Sequence, residues 1–268
     1  MQSVPGKMMK ELLIINAGNT HIETVLLPLS ASFDWKDFPE EKRKILSREE
    51  LPDFLKKCPD NIPLAASSVV PELTELLIDS GAFVVNKNKR FPFDTSRMDI
   101  STVGADRLAN AAALTGGKLP AICIDFGTAI TFETVEADIA FTGGAILPGR
   151  KLMRQALHDH TALLPLLPLT DTPSRLPAAA GKNTKEAMLL GTDLACIGGV
   201  KEVLERIKGE LEKKYPGQKI RICACGGDRK FFLKAMPFLE ETPFLTLEGI
   251  ARIWQANQEE ISSGEAKE

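Results

Sequence analysis

The sequence predicts an α/β protein built from two similar halves around a cleft. Three observations lead to this fold class. An apolar run, a glycine-containing turn and a β-branched run open the chain at ELLIINAGNTHIETVLL (11–27). The same design returns at AICIDFGTAITFETV (121–135). Segments with helical spacing follow both openings, so a duplicated unit with helices packed on a sheet is expected.

The elements of the first half follow from apolar periodicity and from the positions of proline and glycine. Proline near a helix start and glycine just after its end delimit one helix, and paired glycines at 116 and 117 end another. The expected order is a strand–turn–strand at 11–27, a helix at 48–57, a strand at 63–70, a helix at 71–80, a strand at 83–85 and a helix from 104. The first domain is therefore expected to span residues 1–117 and the second 118–268.

The second half repeats the strand–turn–strand opening and then continues with a third candidate strand, ADIAFTGGAIL (137–147). A long helical pattern covers Thr184–Lys214, and a strand is predicted at Lys219–Cys225. A terminal helix is expected near Leu247–Gln258. Both halves thus open alike and differ mainly in their helices.

Composition argues against several classes of protein, including nucleic-acid-binding, membrane-spanning and disulfide-rich proteins. The chain has 268 residues, 44% of them hydrophobic and 26% charged, with a formal net charge of −3, which does not favour a nucleic-acid partner. No apolar run approaches the roughly 20 residues that span a bilayer. The apolar stretch Leu12–Ile15 leads into a turn and is interpreted as a strand and not as a signal peptide. Five irregularly spaced cysteines do not suggest a disulfide framework. A cytoplasmic protein without a membrane partner is expected.

The two turns have the chemistry of a phosphate site. Asp125-Phe126-Gly127-Thr128 combines a carboxylate that can hold a hydrated cation, a glycine whose amide can approach phosphate, and a hydroxyl donor. Such a tetrapeptide alone also serves as an ordinary hairpin. Its pairing with Gly18-Asn19-Thr20 in the first half favours nucleotide binding. Neither GxxxxGK[ST] nor GxGxxG occurs, which disfavours the P-loop and dinucleotide classes.

A carboxylate and a guanidinium stand side by side at Gly104-Ala105-Asp106-Arg107, where a helix is expected to begin. One interpretation is a capping or first-turn aspartate with a solvent-facing arginine. The other is a general base, kept ionised by Arg107, beside an anion-binding group. Phosphoryl transfer to an alcohol needs such a base together with cations on the phosphates.

An ordered set of motifs resembles the type III pantothenate kinases and covers nearly the whole chain: NAGNT (16–20), SSVVPELT (67–74), VGADRLANAAA (103–113), IDFGTAITFETV (124–135), GGAILPG (143–149), NTKEAMLLG (183–191), CGGD (225–228) and LEGI (247–250). The resemblance implies the duplicated actin-like ATPase (ribonuclease H-like) fold of the acetate kinase, sugar kinase and actin superfamily. It also implies phosphorylation of pantothenate by ATP to 4'-phosphopantothenate, the first step of coenzyme A biosynthesis. A homodimer is implied, with Mg²⁺ or a similar divalent metal and with K⁺ or NH₄⁺.

The resemblance assigns roles residue by residue. Asp106 is the implied proton acceptor, and the implied pantothenate-binding residues are Gly104, Ala105, Asp106, Arg107 and Thr184. Asp125 is the implied ligand of the monovalent cation, and Thr128 contacts the ATP phosphates. The implied first nucleotide loop comprises Asn16, Ala17, Gly18, Asn19, Thr20, His21, Ile22 and Glu23. For Thr184 the alternative is an N-cap of the following helix.

The chain departs from the family pattern at two positions. Asn16 stands where the family's first motif begins with aspartate, so one negative charge near the metal is missing. Arg97 stands where the family usually has tyrosine, seven residues before the glycine of GADR. These departures leave two alternatives to an active pantothenate kinase: a weakly active nucleotide-binding homologue with a regulatory role, and a kinase for another small hydroxy acid.

Overall fold

The computed structural model describes residues 11–29, 35, 38–171 and 179–264. Across these residues the chain forms eleven strands and seven α-helices. The described residues divide into two compact units, the first comprising those within 1–117 and 244–268 and the second those within 118–243. Within the described part, none of the helices is both long and apolar enough to cross a membrane.

The first unit is built on a five-stranded sheet with the strand order β3-β2-β1-β4-β5. β1 is antiparallel to β2 and parallel to β4. Its elements are β1 (Glu11–Ala17), β2 (Ile22–Pro28), β3 (Lys44–Leu46), α1 (Leu51–Lys56), β4 (Leu64–Ser68), α2 (Pro71–Asp79), β5 (Phe83–Val84), α3 (Ala105–Leu114) and α7 (Leu245–Gly264).

Alternate residues of the central strand β1 face opposite sides of this sheet, because side chains alternate along a strand. Leu13, Ile15 and Ala17 belong to a buried cluster that also contains residues of α1 and α2. The other face carries Leu12 and Ile14, which are fully buried on the side where α3 and α7 pack. Asn16 lies on this second face, at the end of β1.

The second unit repeats this architecture. Its main sheet has the strand order β11-β10-β6-β7-β8, with β9 paired to β7. β6 is antiparallel to β7 and parallel to β10, as β1 is to β2 and β4. The elements are β6 (Ala121–Phe126), β7 (Ala129–Val135), β8 (Phe141–Gly143), β9 (Ile146–Pro148), α4 (Arg150–Asp159), α5 (Thr184–Lys214), β10 (Arg221–Cys225), α6 (Arg229–Ala235) and β11 (Glu240–Glu241). The shared order of connections confirms the predicted duplication.

A buried cluster joins the second sheet to α5 and α6. Phe126 of β6 stacks on Phe232 of α6 with 4.1 Å between ring centroids, and Val200 and Leu204 of α5 are buried in the same cluster. The predicted helix Thr184–Lys214 matches α5 at both ends. This agreement follows from its long uninterrupted helical pattern, which contains no proline.

Two features differ from the expectation. The third strand predicted at 137–147 is divided into β8 and β9, and the register against β7 shifts between Thr134 and Val135. The last helix, α7, packs on α3 in the first unit, whereas the sequence assigned residues 118–268 to the second half. A buried hydrogen bond from Thr246 Oγ1 to Asn110 Oδ1, 2.7 Å long, joins the two helices.

The α3–α7 contact generates a stability prediction. A Cβ at Gly249 would lie 1.7 Å from the backbone oxygen of Ala109, so alanine there must push the helices apart. We expect Gly249→Ala to lower the free energy of unfolding by about 1–3 kcal/mol in urea denaturation followed by circular dichroism. Gly209→Ala in α5 is the control, because its Cβ meets nothing within 4 Å. That change should raise the free energy by roughly 0.5–1 kcal/mol. Equal effects of the two variants would contradict the close helix contact.

Candidate active site

The predicted first nucleotide loop is the hairpin turn between β1 and β2. The Gly18 N–H donates to the His21 carbonyl oxygen at 3.1 Å and closes the turn. Asn19, Thr20 and His21 are exposed at its tip. Arg48 donates from Nη2 to the Asn19 carbonyl at 2.6 Å and braces the turn from outside. The turn is therefore held by its backbone, with its tip open to solvent.

Three oxygen-bearing side chains form a row across the sheet at the base of this turn. Asn16 of β1 is in register with Glu23 of β2 on one side and with Ser67 of β4 on the other. Residues in register lie on the same face of a sheet. Ser67 is fully buried, and its Oγ has no hydrogen-bond partner among the residues that the structure describes. The row thus places a carboxylate, an amide and a hydroxyl next to one another.

Glu23 is oriented by an arginine that a second carboxylate also contacts. Arg43 donates from Nη1 to Glu23 Oε1 at 3.2 Å and from Nη2 to Glu40 Oε1 at 2.9 Å. The guanidinium carbon of Arg43 lies 5.6 Å from the centre of the Phe244 ring. Arg43 therefore links the Glu23 carboxylate, which belongs to the Asn16 row, to a second carboxylate outside that row.

The Gly104–Arg107 segment begins α3 next to the same turn. Gly104 is the N-cap residue, and a Cβ placed on it would lie 3.7 Å from the Val69 side chain. Val69 follows β4, and its N–H donates to the Ala17 carbonyl at 3.3 Å. The predicted substrate segment and the predicted nucleotide loop are therefore neighbours within the first unit. Ala105 is buried as the first residue of the helix.

Asp106 lies in the first turn of α3 and is half-buried. Its Oδ1 accepts a hydrogen bond from the Arg107 backbone N–H at 2.8 Å. Burial raises the pKa of the Asp106 carboxyl above its usual value, and the N–H and charge of Arg107 only partly offset this. The sequence predicts that Arg107 keeps this carboxylate ionised. Desolvation dominates instead, which makes the ionised carboxylate a stronger base.

The second predicted turn is closed by three segments of the second unit. The Gly127 N–H donates to the Ala129 carbonyl at 3.1 Å, and the Gly149 N–H donates to the Thr128 carbonyl at 3.0 Å. The Asp228 N–H donates to the Phe126 carbonyl at 2.9 Å. Asp125 near the end of β6 therefore precedes a turn that contains Gly127 and Thr128, as the sequence predicted.

Gly226 brings the chain after β10 against this turn. It has a φ of 84°, in the left-handed region that favours glycine. A Cβ there would lie 2.3 Å from Asp125 Oδ1 and 2.6 Å from the Phe126 carbonyl oxygen. Among the described residues there is no group of three or more His, Cys, Asp or Glu side chains suited to a metal.

A buried ion network that sequence reasoning missed supports this second turn. Arg150 donates from Nε to Asp193 Oδ1 at 2.8 Å and from Nη1 to Asp228 Oδ1 at 2.9 Å. Arg154 donates from Nη2 to Asp193 Oδ1 at 2.9 Å. Both arginines and Asp193 are buried. The network ties the start of α4, which follows Gly149, to the loop after β10. The spacing of Arg150 and Arg154 on one helix face was the available signal.

Thr184 is the first residue of α5, but it is not the cap. The N-cap is Asn183, whose side chain accepts the Glu186 N–H at 2.9 Å, while Glu186 accepts the Lys182 N–H at 2.8 Å. The alternative role of Thr184 as an N-cap is therefore wrong. Thr184 lines an apolar groove of about 1000 Å³ between α4 and α5, together with Leu152, Met153, Leu157, Ala187 and Met188.

Comparison with known proteins places these motifs in one family. The profile of the family described as type III pantothenate kinase matches residues 12–206. The type III pantothenate kinase of Legionella pneumophila (strain Corby) is 32% identical over 259 residues, which cover 89% of this chain and 96% of that protein. The type III pantothenate kinase of Methylacidiphilum infernorum is 42% identical over 155 residues, covering 56% of this chain and 54% of its own length.

Solved structures share the fold. A Campylobacter jejuni protein described as a Baf family transcriptional activator gives a TM-score of 0.62 at 19% identity, over 92% of this chain and all of that one. MreB 5 of Spiroplasma citri bound to AMPPNP gives a TM-score of 0.50 at 12% identity, over 97% of this chain and all of that one. The predicted actin-like ATPase fold is thereby confirmed.

Proposed function

Because the chain belongs to the type III pantothenate kinase family, we propose that it transfers a phosphoryl group from ATP to pantothenate in the cytoplasm. The product is 4'-phosphopantothenate, at the first step of coenzyme A biosynthesis. The position of Asp106 carries this proposal within the structure. This half-buried carboxylate lies in the first helical turn of α3, beside the β1–β2 hairpin turn, where it could accept a proton from a substrate hydroxyl.

Phosphoryl transfer to an alcohol requires a base for the hydroxyl proton, groups that position the two substrates, and positive charge beside the phosphates. Asp106 accepts the proton of the pantothenate hydroxyl as the phosphoryl group transfers. The Arg107 guanidinium binds the pantothenate carboxylate, and the backbone of Gly104 and Ala105 lines the same binding site. Thr184 is proposed as a further pantothenate contact.

The two turns are proposed to hold the ATP phosphates. The loop Asn16–Glu23 offers exposed backbone at residues 19–21, and Thr128 offers a hydroxyl in the second turn. The row of Glu23, Asn16 and Ser67 fits a divalent cation such as Mg²⁺, since its donors are hard oxygens and one buried hydroxyl is unpartnered among the described residues. Bound Mg²⁺ would neutralise charge on the phosphates. Asp125 is proposed to hold K⁺ or NH₄⁺.

The regulatory alternative rests on Asn16, which lacks the charge expected at that position. A coupled assay of ATP turnover with and without pantothenate separates the three candidates. Turnover that depends on pantothenate supports the kinase. Nucleotide binding without turnover supports a regulatory homologue, and turnover only with another small hydroxy acid supports changed specificity.

The first prediction from the proposed function concerns Asp106. Asp106→Asn keeps the size of the side chain and its acceptor oxygen for the Arg107 N–H, but removes its basicity. We expect kcat to fall by roughly 10²–10⁴ with the affinity for ATP near that of wild type, measured in steady-state kinetics and by calorimetry. Wild-type kcat in this variant would make Asp106 a structural residue.

The pH dependence supplies the second measurement on this residue. Below its raised pKa Asp106 is protonated, so kcat should fall as pH drops through a value above 3.8. Because the folded pKa is raised, any stability from this group is greatest at low pH and declines as pH rises through that pKa. Asparagine, which is neutral throughout, should not lower the free energy of unfolding at pH 7. A purely capping role predicts instead a loss of about 1 kcal/mol.

The cation at Asp125 generates the second prediction. Replacing K⁺ by Na⁺ at constant ionic strength should lower turnover several-fold, because the site is proposed to select the larger ion. Asp125→Asn should make the rates in the two salts alike, since the charge that holds the ion is gone. Equal wild-type rates in K⁺ and Na⁺ would remove this role from Asp125.

The third prediction is a homodimer joined through the groove between α4 and α5. Leu152 in this groove is 44% exposed and the neighbouring Leu163 is 91% exposed, and a second copy would cover both. Sedimentation at micromolar concentration should give twice the 29.2 kDa of one chain. Leu152→Glu should shift the protein towards monomer. Ile78→Glu, at an exposed apolar position of α2, is the control and should not. A wild-type monomer would contradict this proposal.

A further inference from the structure

The loss of a carboxylate at Asn16 raises the question of which group offsets the charge of the divalent cation. An asparagine at this position keeps an oxygen acceptor but contributes no negative charge. Its direct partner across the β1–β2 pair is Glu23. Side chains of such partners start about 4.5–5.5 Å apart at Cβ. Glutamate is one methylene longer than aspartate, so a carboxylate on β2 can reach towards the end of the Asn16 side chain.

Glu23 shares its arginine partner with a second carboxylate. Arg43 contacts Glu23 at 3.2 Å and Glu40 at 2.9 Å, so its single positive charge is shared between two carboxylates. Glu23 is only partly exposed, with a side-chain exposure of 21%. A carboxylate has about four lone-pair sites and can therefore bind a cation while it also accepts hydrogen bonds.

Ser67 gives an independent observation on the other side of Asn16. Its hydroxyl is fully buried on the face of the sheet that carries Asn16 and Glu23, and its Oγ has no partner within the described part of the chain. A buried hydroxyl of this kind is normally satisfied by protein, water or ligand. The position next to Asn16 therefore already contains one oxygen that a ligand or its water shell can use.

We propose that Glu23 supplies the negative charge for the divalent cation of the bound nucleotide, in place of a carboxylate at position 16. Asn16 and Ser67 then contribute neutral oxygens, directly or through the water shell of the cation. The donor set is one carboxylate, one amide and one hydroxyl, which is suited to Mg²⁺. This role of Glu23 rests on the proposed nucleotide-dependent function, in which Glu23 compensates for the missing carboxylate at position 16.

The test measures how strongly Mg²⁺ improves nucleotide binding. The affinity for the non-hydrolysable analogue β,γ-imido-ATP is determined by titration calorimetry on the full chain, in EDTA and in excess Mg²⁺. The Mg²⁺ effect is the ratio of a variant's affinity in Mg²⁺ to its own affinity in EDTA, and Glu23→Gln should reduce this ratio about tenfold or more. Binding of Mn²⁺ to the nucleotide complex, followed by electron paramagnetic resonance, should weaken in parallel.

Two further variants make the comparison specific. Glu40→Gln removes the other carboxylate on Arg43 and changes the net charge equally, but Glu40 is not in the Asn16 row, so the Mg²⁺ effect should persist. Asn16→Asp in the Glu23→Gln background should restore the Mg²⁺ effect, because it returns a carboxylate to the neighbouring strand. Circular dichroism confirms that each variant is folded.

The outcomes separate this inference from the proposed function. An unchanged Mg²⁺ effect in Glu23→Gln, or an equal loss in Glu40→Gln, overturns the role of Glu23 even if pantothenate is phosphorylated. A loss in Glu23→Gln alone, rescued by Asn16→Asp, supports that role. If wild type then shows Mg²⁺-dependent nucleotide binding but no turnover with pantothenate, the proposed function fails and the role of Glu23 stands.

Discussion

The parallel pairing of each unit's first strand is the interaction on which the candidate site depends. β1 pairs with β4, and β6 pairs with β10, so in each unit two strands end at the same edge of a sheet. A hairpin turn follows the first strand of each pair. Polar groups from distant parts of the sequence are thereby brought to one edge, without any requirement that they be close along the chain. Gly104 in the first unit and Gly226 in the second then fit against these edges.

The buried ion network in the second unit fixes the position of the turn after β6, and its burial costs desolvation free energy. Arg150, Arg154 and Asp193 are removed from water, and such buried pairs stabilise a fold less than apolar packing would. What they provide is a fixed geometry: Arg150 holds the carboxylate of Asp228, and its guanidinium carbon lies 3.4 Å from the Phe231 ring centre. The loop after β10 is consequently tied to α4. We interpret the network as a device that fixes position.

The sequence predicted the two hairpins, the succession of strands and helices along the chain, and the limits of α5, because these depend on local periodicity and on glycine and proline. It could not place α7 in the first unit, since that depends on the fit of Gly249 against Ala109, 140 positions earlier in a chain of 268 residues (249 − 109). The direction of the Asp106 pKa was also out of reach, because burial is set by the surrounding fold. The Asn183 cap, by contrast, was available from its spacing to Glu186.

The charge available to a bound cation cannot be judged from position 16 alone. The attraction between a carboxylate and a cation depends on the distance between them, so a carboxylate on either strand can serve if it comes equally close. In an antiparallel pair the residue in register is the nearest alternative position on the same face, so a charge can move from β1 to β2 while staying beside the same ligand. Because the hairpin places Glu23 opposite Asn16, the proposed site can keep its divalent cation although position 16 carries asparagine and not aspartate.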